Sequence, residues 1–344
     1  MSPILKNVLQ LLLFLSIGLG IMYFLYDKNQ AAYLEYCAAN QIPQEKCSLL
    51  DKLRSDFGSL NYFWIAMIFV GFGMTNYSRA KRWQIILKTL DYDTRFVNAF
   101  AAVNVAYLAN LGLPRIGEFV RAAIFSKYEK LPVDKVFGTV VIDRIADMIS
   151  FFLLVLLAYL LDRPAFHTFF SDYAHMPEMG NKVYYLGLLV LLAGAAFYFR
   201  EAIMKWRWMR KISGLITGVW EGVIAIRNLQ ARNQFFLHTL LIWIWFFLMF
   251  VFACKAFPPT SQLALIPMLV VYVFGSFGVF IPSPGGMGTY HFMVILGLGL
   301  YGIHQTDAFS FANIAFASAQ FFALVIYGVL SLIVLQLYNK PKTA

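Results

Sequence analysis

Apolar runs of membrane-crossing length alternate along this chain with short polar stretches where most of the charge collects. The first run, Leu5 to Tyr26, spans 22 residues, enough to cross a hydrocarbon core. It is too long for the apolar core of a signal peptide and lacks a small-residue cleavage site, so it predicts a retained first helix. A polar loop is expected over 27–60. A second span, Asn61 to Tyr77, follows, with Arg79, Lys81, Arg82 and Lys88 as its cytoplasmic basic flank. The third span, Val136 to Leu161, leads into an external loop over 162–182 carrying Asp162, Asp172 and Glu178, and Val183 to Phe199 returns. Over about 200–232, Lys205, Arg207, Arg210, Lys211 and Arg227 alternate with Trp206, Trp208 and Trp220, which reads as one or two cytoplasmic interfacial helices on anionic headgroups. Phe235 to Phe257 crosses again, and Phe309 to Leu337 is the last span, ending beside Lys340 and Lys342.

Two stretches resist this simple pattern. Phe96 to Leu113 is apolar enough to cross, yet Arg95 precedes it and Lys127, Lys130 and Lys135 follow, so both flanks read as cytoplasmic. A re-entrant hairpin over about 96–125, with its tip near Pro114, reconciles them, because irregular backbone at membrane depth is tolerated where protein or a wet cavity covers it. Leu263 to Ile281 and Met287 to Ile303 are likewise split by Pro282-Ser283-Pro284-Gly285-Gly286, a breaker with no basic flank. If the last helix ends inside, this pair begins and ends outside and forms a second hairpin, over about 263–303, entering from the opposite face. The competing reading makes each break a kink between ordinary helices.

Composition agrees with the pattern. The 344 residues are 60% hydrophobic and only 13% charged, against roughly 45–50% and 25% in soluble domains. The net charge of +10 comes with no folded basic domain or zinc spacing, which argues against nucleic acid and for the positive-inside rule. Only Lys28, Lys46, Lys52, Arg54, Arg163, Lys182 and Lys255, seven of 28 basic residues, fall outside; the other 21 are on the cytoplasmic side. The fold class is therefore an all-α polytopic membrane protein with both termini cytoplasmic, about six full transmembrane helices and two opposed re-entrant hairpins. Such an arrangement is compatible with inverted repeats, although sequence identity between the halves does not show them. Cys37 and Cys47 share the first polar loop. A disulfide there requires an oxidising space, and two unpaired thiols are the favoured reading; Cys254 stands apart.

Three clusters carry the candidate chemistry. Arg115, Glu118 and Arg121 recur at i, i+3 and i+6, a stripe along one side of a helix. Glu118 can neutralise one arginine and leave the other for a phosphate, whose oxygens match the planar guanidinium fork; the alternative is a snorkelling interfacial cluster. Asp143-Arg144-Ile145-Ala146-Asp147 lies about two turns inside the third span, with Asp143 and Asp147 on one face. Charge at that depth faces a partner or a wet cavity, so Arg115 or Arg121 is expected to pair with Asp143 or Asp147, which also fits a purely structural clamp. The third cluster is Pro284, Gly285, Gly286 and Gly288, followed by a helix whose N-terminus is suited to an anion. His291 in its first turn reads as a structural donor before a proton relay. No catalytic, nucleotide or metal pattern is present, so neither an enzyme nor a cofactor is expected.

At these residues the chain resembles the lysylphosphatidylglycerol synthase transmembrane-region family, the flippase-like domain also found in multiple peptide resistance factors. The likeness rests on Asn110 with Pro114-Arg115-Ile116-Gly117-Glu118-Phe119-Val120-Arg121, on Asp143-Arg144-Ile145-Ala146-Asp147, and on Pro282-Ser283-Pro284-Gly285-Gly286-Met287-Gly288, in the family's order over nearly the whole chain. The sequence departs where the family often has glutamate for Asp143 and an acidic residue for His291. The resemblance implies a single transmembrane flippase-like domain, 1–344, in a bacterial inner membrane, moving a phospholipid or lipid-linked anionic substrate between leaflets. In the resistance factors a soluble aminoacyl transferase follows; this chain stops seven residues after Leu337, so lipid lysylation is not expected. The expected partners are membrane lipids and no nucleic acid. Two competing readings are an accessory subunit working with envelope-synthesis enzymes and an intramembrane transferase acting on a lipid carrier.

Overall fold

The computed structural model describes residues 3–39, 41, 43, 47–112, 116–173, 229, 231–280 and 286–339. Among them the chain is helical, with no strand. The expected span Val183–Phe199 and all but the last residues of the basic segment over 200–232 lie outside the described residues.

The first helix, α1 (Pro3–Ala39), runs 37 residues, well past the apolar run that predicted it. Residues 27–39 are polar, but Gln30, Ala31, Ala32, Leu34 and Glu35 are good helix formers, so leaving the apolar zone does not end the helix. Helix α2 (Leu49–Gly58), capped by Ser48, then meets α3 (Tyr62–Lys88) at 82°. The expected loop 27–60 is thus mostly two helices, and Cys37 and Cys47 are joined by a disulfide, against the unpaired thiols favoured by the sequence. The local reason is positional. Gln30 donates to the Cys47 carbonyl at 2.9 Å and accepts from the Leu49 N–H at 2.8 Å, folding the linker back along α1 until the two sulfurs meet. Cross-linking residues ten apart removes about 3 kcal/mol of chain entropy from the unfolded state. Cys37→Ser is therefore expected to loosen this cap by about that amount, read as faster proteolysis between Ala38 and Ser48 with the remaining spans still protected.

Helices α4 (Phe96–Gly112) and α5 (Gly117–Glu129) form the first hairpin. Near its open end Arg95 Nη2 donates to the Tyr128 carbonyl at 2.7 Å, and at its tip the Gly117 N–H donates to Asn110 Oδ1 at 2.7 Å, so the two helices run antiparallel. Helix α6 (Val133–Leu161) and the short α7 (Arg163–Tyr173) follow; α7 occupies part of the expected external loop. Helix α8 (Arg232–Ala256) lies antiparallel to α3, with the Asn61 N–H donating to the Ala256 carbonyl at one end and Arg82 reaching Thr239 at the other. Helices α9 (Leu265–Phe280) and α10 (Thr289–Gly299) make the second hairpin. Its close approach depends on glycine: a Cβ on Gly278 would lie 2.5 Å from the Thr289 carbonyl oxygen and 2.7 Å from Tyr290 Cα. The last helix, α11 (Gln305–Tyr338), runs 34 residues and widens to a π-turn over Phe316–Phe322.

The hairpins enter from opposite ends. At one end, reached by Lys88, Asn98 and Asn339 exchange hydrogen bonds of 3.2 and 2.8 Å, joining the base of the first hairpin to the end of α11. Near the disulfide end, Tyr301 donates to Asp162 at 2.9 Å, and Lys52 bridges Asp56 and Asp307 at 2.7 Å each. Burial alone would lower the Lys52 pKa, but the hydrogen bonds and charges of Asp307 and Asp56 outweigh it and raise the pKa above its ordinary value. Among the described residues five helices reach 25 residues or more: α1, α3, α6, α8 and α11. By length and apolarity α8 and α11 qualify as spans unaided, whereas α3 passes the same test only when joined to α2 across the 82° bend. Helix α6 is long enough, but five charged residues in its first half dilute its apolar character.

Candidate functional site

Of the five charges in the first half of α6, Asp134 and Lys135 are exposed near its start, Asp143 is buried, and Arg144 and Asp147 are partly buried. Asp143 and Asp147, one turn apart, present their carboxylates to α3 and α5. The partners on α3 are Arg79 and Arg82, three residues apart and therefore on one face. Arg82 is fully buried; its Nε donates to Asp143 Oδ1 at 2.8 Å and its Nη2 to Asp147 Oδ1 at 2.6 Å, so one guanidinium joins both carboxylates. Arg79 Nη1 donates to Asp147 Oδ2 at 2.5 Å. From α5, Arg121 Nη1 donates to Asp143 Oδ2 at 2.8 Å, the pairing expected from the sequence. Arg144 turns the other way, with its Nε 3.1 Å from Glu118 Oε1 and its Nη1 3.4 Å from Asp147.

Aromatic rings enclose the charges. The Arg121 guanidinium lies 3.9 Å from the centroid of Trp83, whose indole N–H is held by Thr139 at 2.8 Å. Tyr107 and Phe246 each lie 5.9 Å from Arg79. A cation over a ring keeps part of its electrostatic stabilisation without water, which helps α3 carry arginines that are 2% and 0% exposed. Above them Asn76 donates to Asn104 at 2.7 Å, extending a polar seam between α3 and α4 toward Asn110. On the far side, one turn beyond Asp147, Phe151 packs at 5.1 Å on Phe277 near the tip of the second hairpin. The network thus lies between the two hairpins.

The expected site residues separate into three groups. Glu118, Arg121, Asp143, Arg144 and Asp147 come together in one network, in which Glu118 meets Arg144. Arg115, Pro284 and Gly285 lie outside the described residues. Gly286 and Gly288 adopt positive φ of 82° and 81°, the backbone glycine permits. The Gly288 N–H donates to His291 Nδ1 at 3.4 Å, and His291 rests 4.7 Å from Phe316 at the start of the π-turn. That makes His291 an end-cap of α10 that accepts a hydrogen bond, where the sequence suggests a structural donor, and no hydrogen bond or ion pair among the described residues joins it to the arginines.

Arg79 and Arg82 were read from the sequence as a cytoplasmic flank, and the structure corrects this. Helix α3 continues eleven residues past Tyr77 to Lys88, carrying both inside the protein. Only Lys81 and Lys88 of that flank stay out of the network. A signal did exist: Thr75, Asn76, Arg79, Arg82 and Trp83 fall on one helical face, the face that became buried.

Residues 49–328 match the pattern of the lysylphosphatidylglycerol synthase TM region. A UPF0104 membrane protein of Methanocaldococcus jannaschii is 30% identical over 115 residues, which is 32% of this chain and 34% of that protein. The aligned stretch thus spans about a third of the relative's length. No solved structure matches.

Proposed function

This chain belongs to the lysylphosphatidylglycerol synthase transmembrane-region family, and from that premise we propose that it is a lipid flippase, moving a phospholipid or lipid-linked anionic substrate between leaflets as one transmembrane unit. The observation that carries this reading is the network itself: Arg79, Arg82, Arg121 and Asp143 are buried, Asp147, Arg144 and Glu118 are partly so, and the whole is placed between two hairpins of opposite entry. Ionisable groups at membrane depth are expensive and mark substrate or ion pathways. Broken helices that meet at mid-membrane are where transporters hold their cargo. A headgroup entering from either side would meet arginines already aimed by Asp143 and Asp147, so no charge need be reoriented in a medium of low dielectric.

The positive-inside rule assigns the Lys88 end to the cytoplasm of a bacterial inner membrane, with both termini there. The disulfide end then faces an oxidising space, consistent with a Cys37–Cys47 bond. The expected partners are anionic or lipid-linked lipids.

Reconstituted vesicles containing headgroup-labelled anionic and polyprenyl-linked lipids test this. Protein-dependent exposure of the label is expected, with the lipid unchanged by mass spectrometry, and Arg121→Ala or Asp147→Asn should slow it at least tenfold. No translocation across that panel overturns the proposal. The completeness with which Arg82 closes both aspartates also suits a structural clamp in an accessory subunit. Wild-type behaviour of both variants, with co-purification of an envelope-synthesis enzyme, would favour that reading.

A further inference from the structure

The four arginines are not equivalent, and their difference narrows the substrate class. A guanidinium offers two bidentate edges. The Nε and Nη2 hydrogens on one side are parallel and match two oxygens of one oxyanion. In Arg82 both nitrogens of that edge are engaged, Nε by Asp143 Oδ1 at 2.8 Å and Nη2 by Asp147 Oδ1 at 2.6 Å. Arg121 differs: only its Nη1 is engaged, by Asp143, while among the described residues Nε and Nη2 have no hydrogen-bond partner. Arg121 is 1% exposed, so this is a buried, charged, unpartnered edge, a condition that costs free energy unless another state satisfies it. Trp83 covers one guanidinium face at 3.9 Å and is fixed by Thr139, so Arg121 keeps its orientation with or without a ligand.

The charge count adds a second constraint. Arg79, Arg82, Arg121 and Arg144 carry four positive charges, and Glu118, Asp143 and Asp147 carry three negative, leaving +1 on these seven residues. One monoanion brings that sum to zero; a diphosphate carries it past zero into a site with two aspartates already present.

We infer that the Nε–Nη2 edge of Arg121 is the recognition element for one monoanionic phosphoryl group, a phosphodiester headgroup in preference to a diphosphate. This rests on the transport reading and deepens it, since both phospholipids and lipid-linked carriers satisfied the broader proposal. In this structure the edge is packed inside the protein, and a headgroup reaches it by a rearrangement that leaves Arg121 on Trp83 and Asp143. Asp143 then acts as a positioning residue, holding Nη1 so that the opposite edge faces the incoming group. Lysine in place of Arg121 would keep the charge and lose the fork.

Binding to the full chain in detergent decides the matter, with dihexanoylphosphatidylglycerol, inorganic phosphate, geranyl diphosphate and phosphate-free dihexanoylglycerol as probes. The wild type is expected to bind dihexanoylphosphatidylglycerol at least tenfold more tightly than dihexanoylglycerol or geranyl diphosphate, and Arg121→Lys to lose that tenfold while keeping its helical spectrum. Inorganic phosphate matching the lipid, with the same dependence on Arg121, supports the site and makes free phosphate its source. Tighter binding of geranyl diphosphate, or equal binding by Arg121→Lys, overturns the inference. Should that variant not fold, dipolar coupling between arginine side-chain 15N and probe 31P in the wild type serves instead: its presence supports the contact and its absence overturns it. Translocation of a phosphate-free lipid would leave transport standing and remove this inference; phosphate-selective binding without translocation does the reverse.

Discussion

Asp143→Ala is expected to destabilise the protein by about 3–5 kcal/mol, because it strands one buried guanidinium and half-strands a second. Arg121 would lose its hydrogen-bonded carboxylate, and Arg82 its Nε partner, keeping only Asp147 at Nη2. Neither can rotate to water, being 1% and 0% exposed. The loss should show as a lowered unfolding midpoint in detergent and a smaller yield of monodisperse protein. Asp143→Asn keeps the shape and one acceptor oxygen, so it should lose less. Asp147→Ala should also lose less, since its side chain is 13% exposed and Asp143 would still lie 2.8 Å from Arg82 and 3.6 Å from Arg79. The double variant Arg82→Met with Asp143→Ala distinguishes a charge effect from a packing effect. Removing both partners deletes the uncompensated charge, so the pair should cost clearly less than the sum of the singles. Strict additivity would mean that the two side chains contribute separately and that the network is not a unit.

The second large effect is expected at Gly278. A methyl there would meet the Thr289 carbonyl oxygen at 2.5 Å and Tyr290 Cα at 2.7 Å. These are backbone atoms and cannot swing aside as a side chain would. The same contact holds a hydrogen bond of 2.6 Å from Thr289 Oγ1 to the Gly278 carbonyl, which separating the helices would break. Gly278→Ala is expected to cost about 1–3 kcal/mol, as overpacking does, and to abolish translocation, because the second hairpin could no longer close beside Phe151. Gly299→Ala is the matched control. It sits in the same hairpin with nothing within 4 Å of the added methyl, so alanine's higher helix propensity should make it neutral or slightly stabilising. If both substitutions behave alike, close approach at Gly278 is not what shapes the hairpin.

Both hairpins were legible in the sequence, for different reasons. Basic residues on either side of 96–125 forbade a simple crossing, and the structure returns the chain to the end where it entered, with Arg95 on Tyr128. The proline-glycine break at 282–286 announced the second, and Gly278, Gly297 and Thr289 supply the contacts that make the break a hairpin and not a kink. The disulfide was legible only as a possibility, because ten intervening residues say nothing of whether the chain folds back. Gln30, which holds it back, carries no such message in isolation.

Sequence alone determined that this is a helical membrane protein, where its apolar runs lie, and that Arg121 and the Asp143–Asp147 pair need partners, because free charge is unaffordable in a hydrocarbon medium whatever the fold. It could not say which partners. Arg79 and Arg82 look the same on paper as Lys81 and Lys88, and a basic run after an apolar one fits a cytoplasmic flank. Only the tertiary structure decided that α3 continues inward for three more turns and delivers two arginines to α6, while Lys81 rests on Phe96 at 4.7 Å and Lys88 closes the helix. The physical reason is that hydropathy records the average character of a segment. Burial is assigned residue by residue, according to which face of α3 meets α5, α6 and α8.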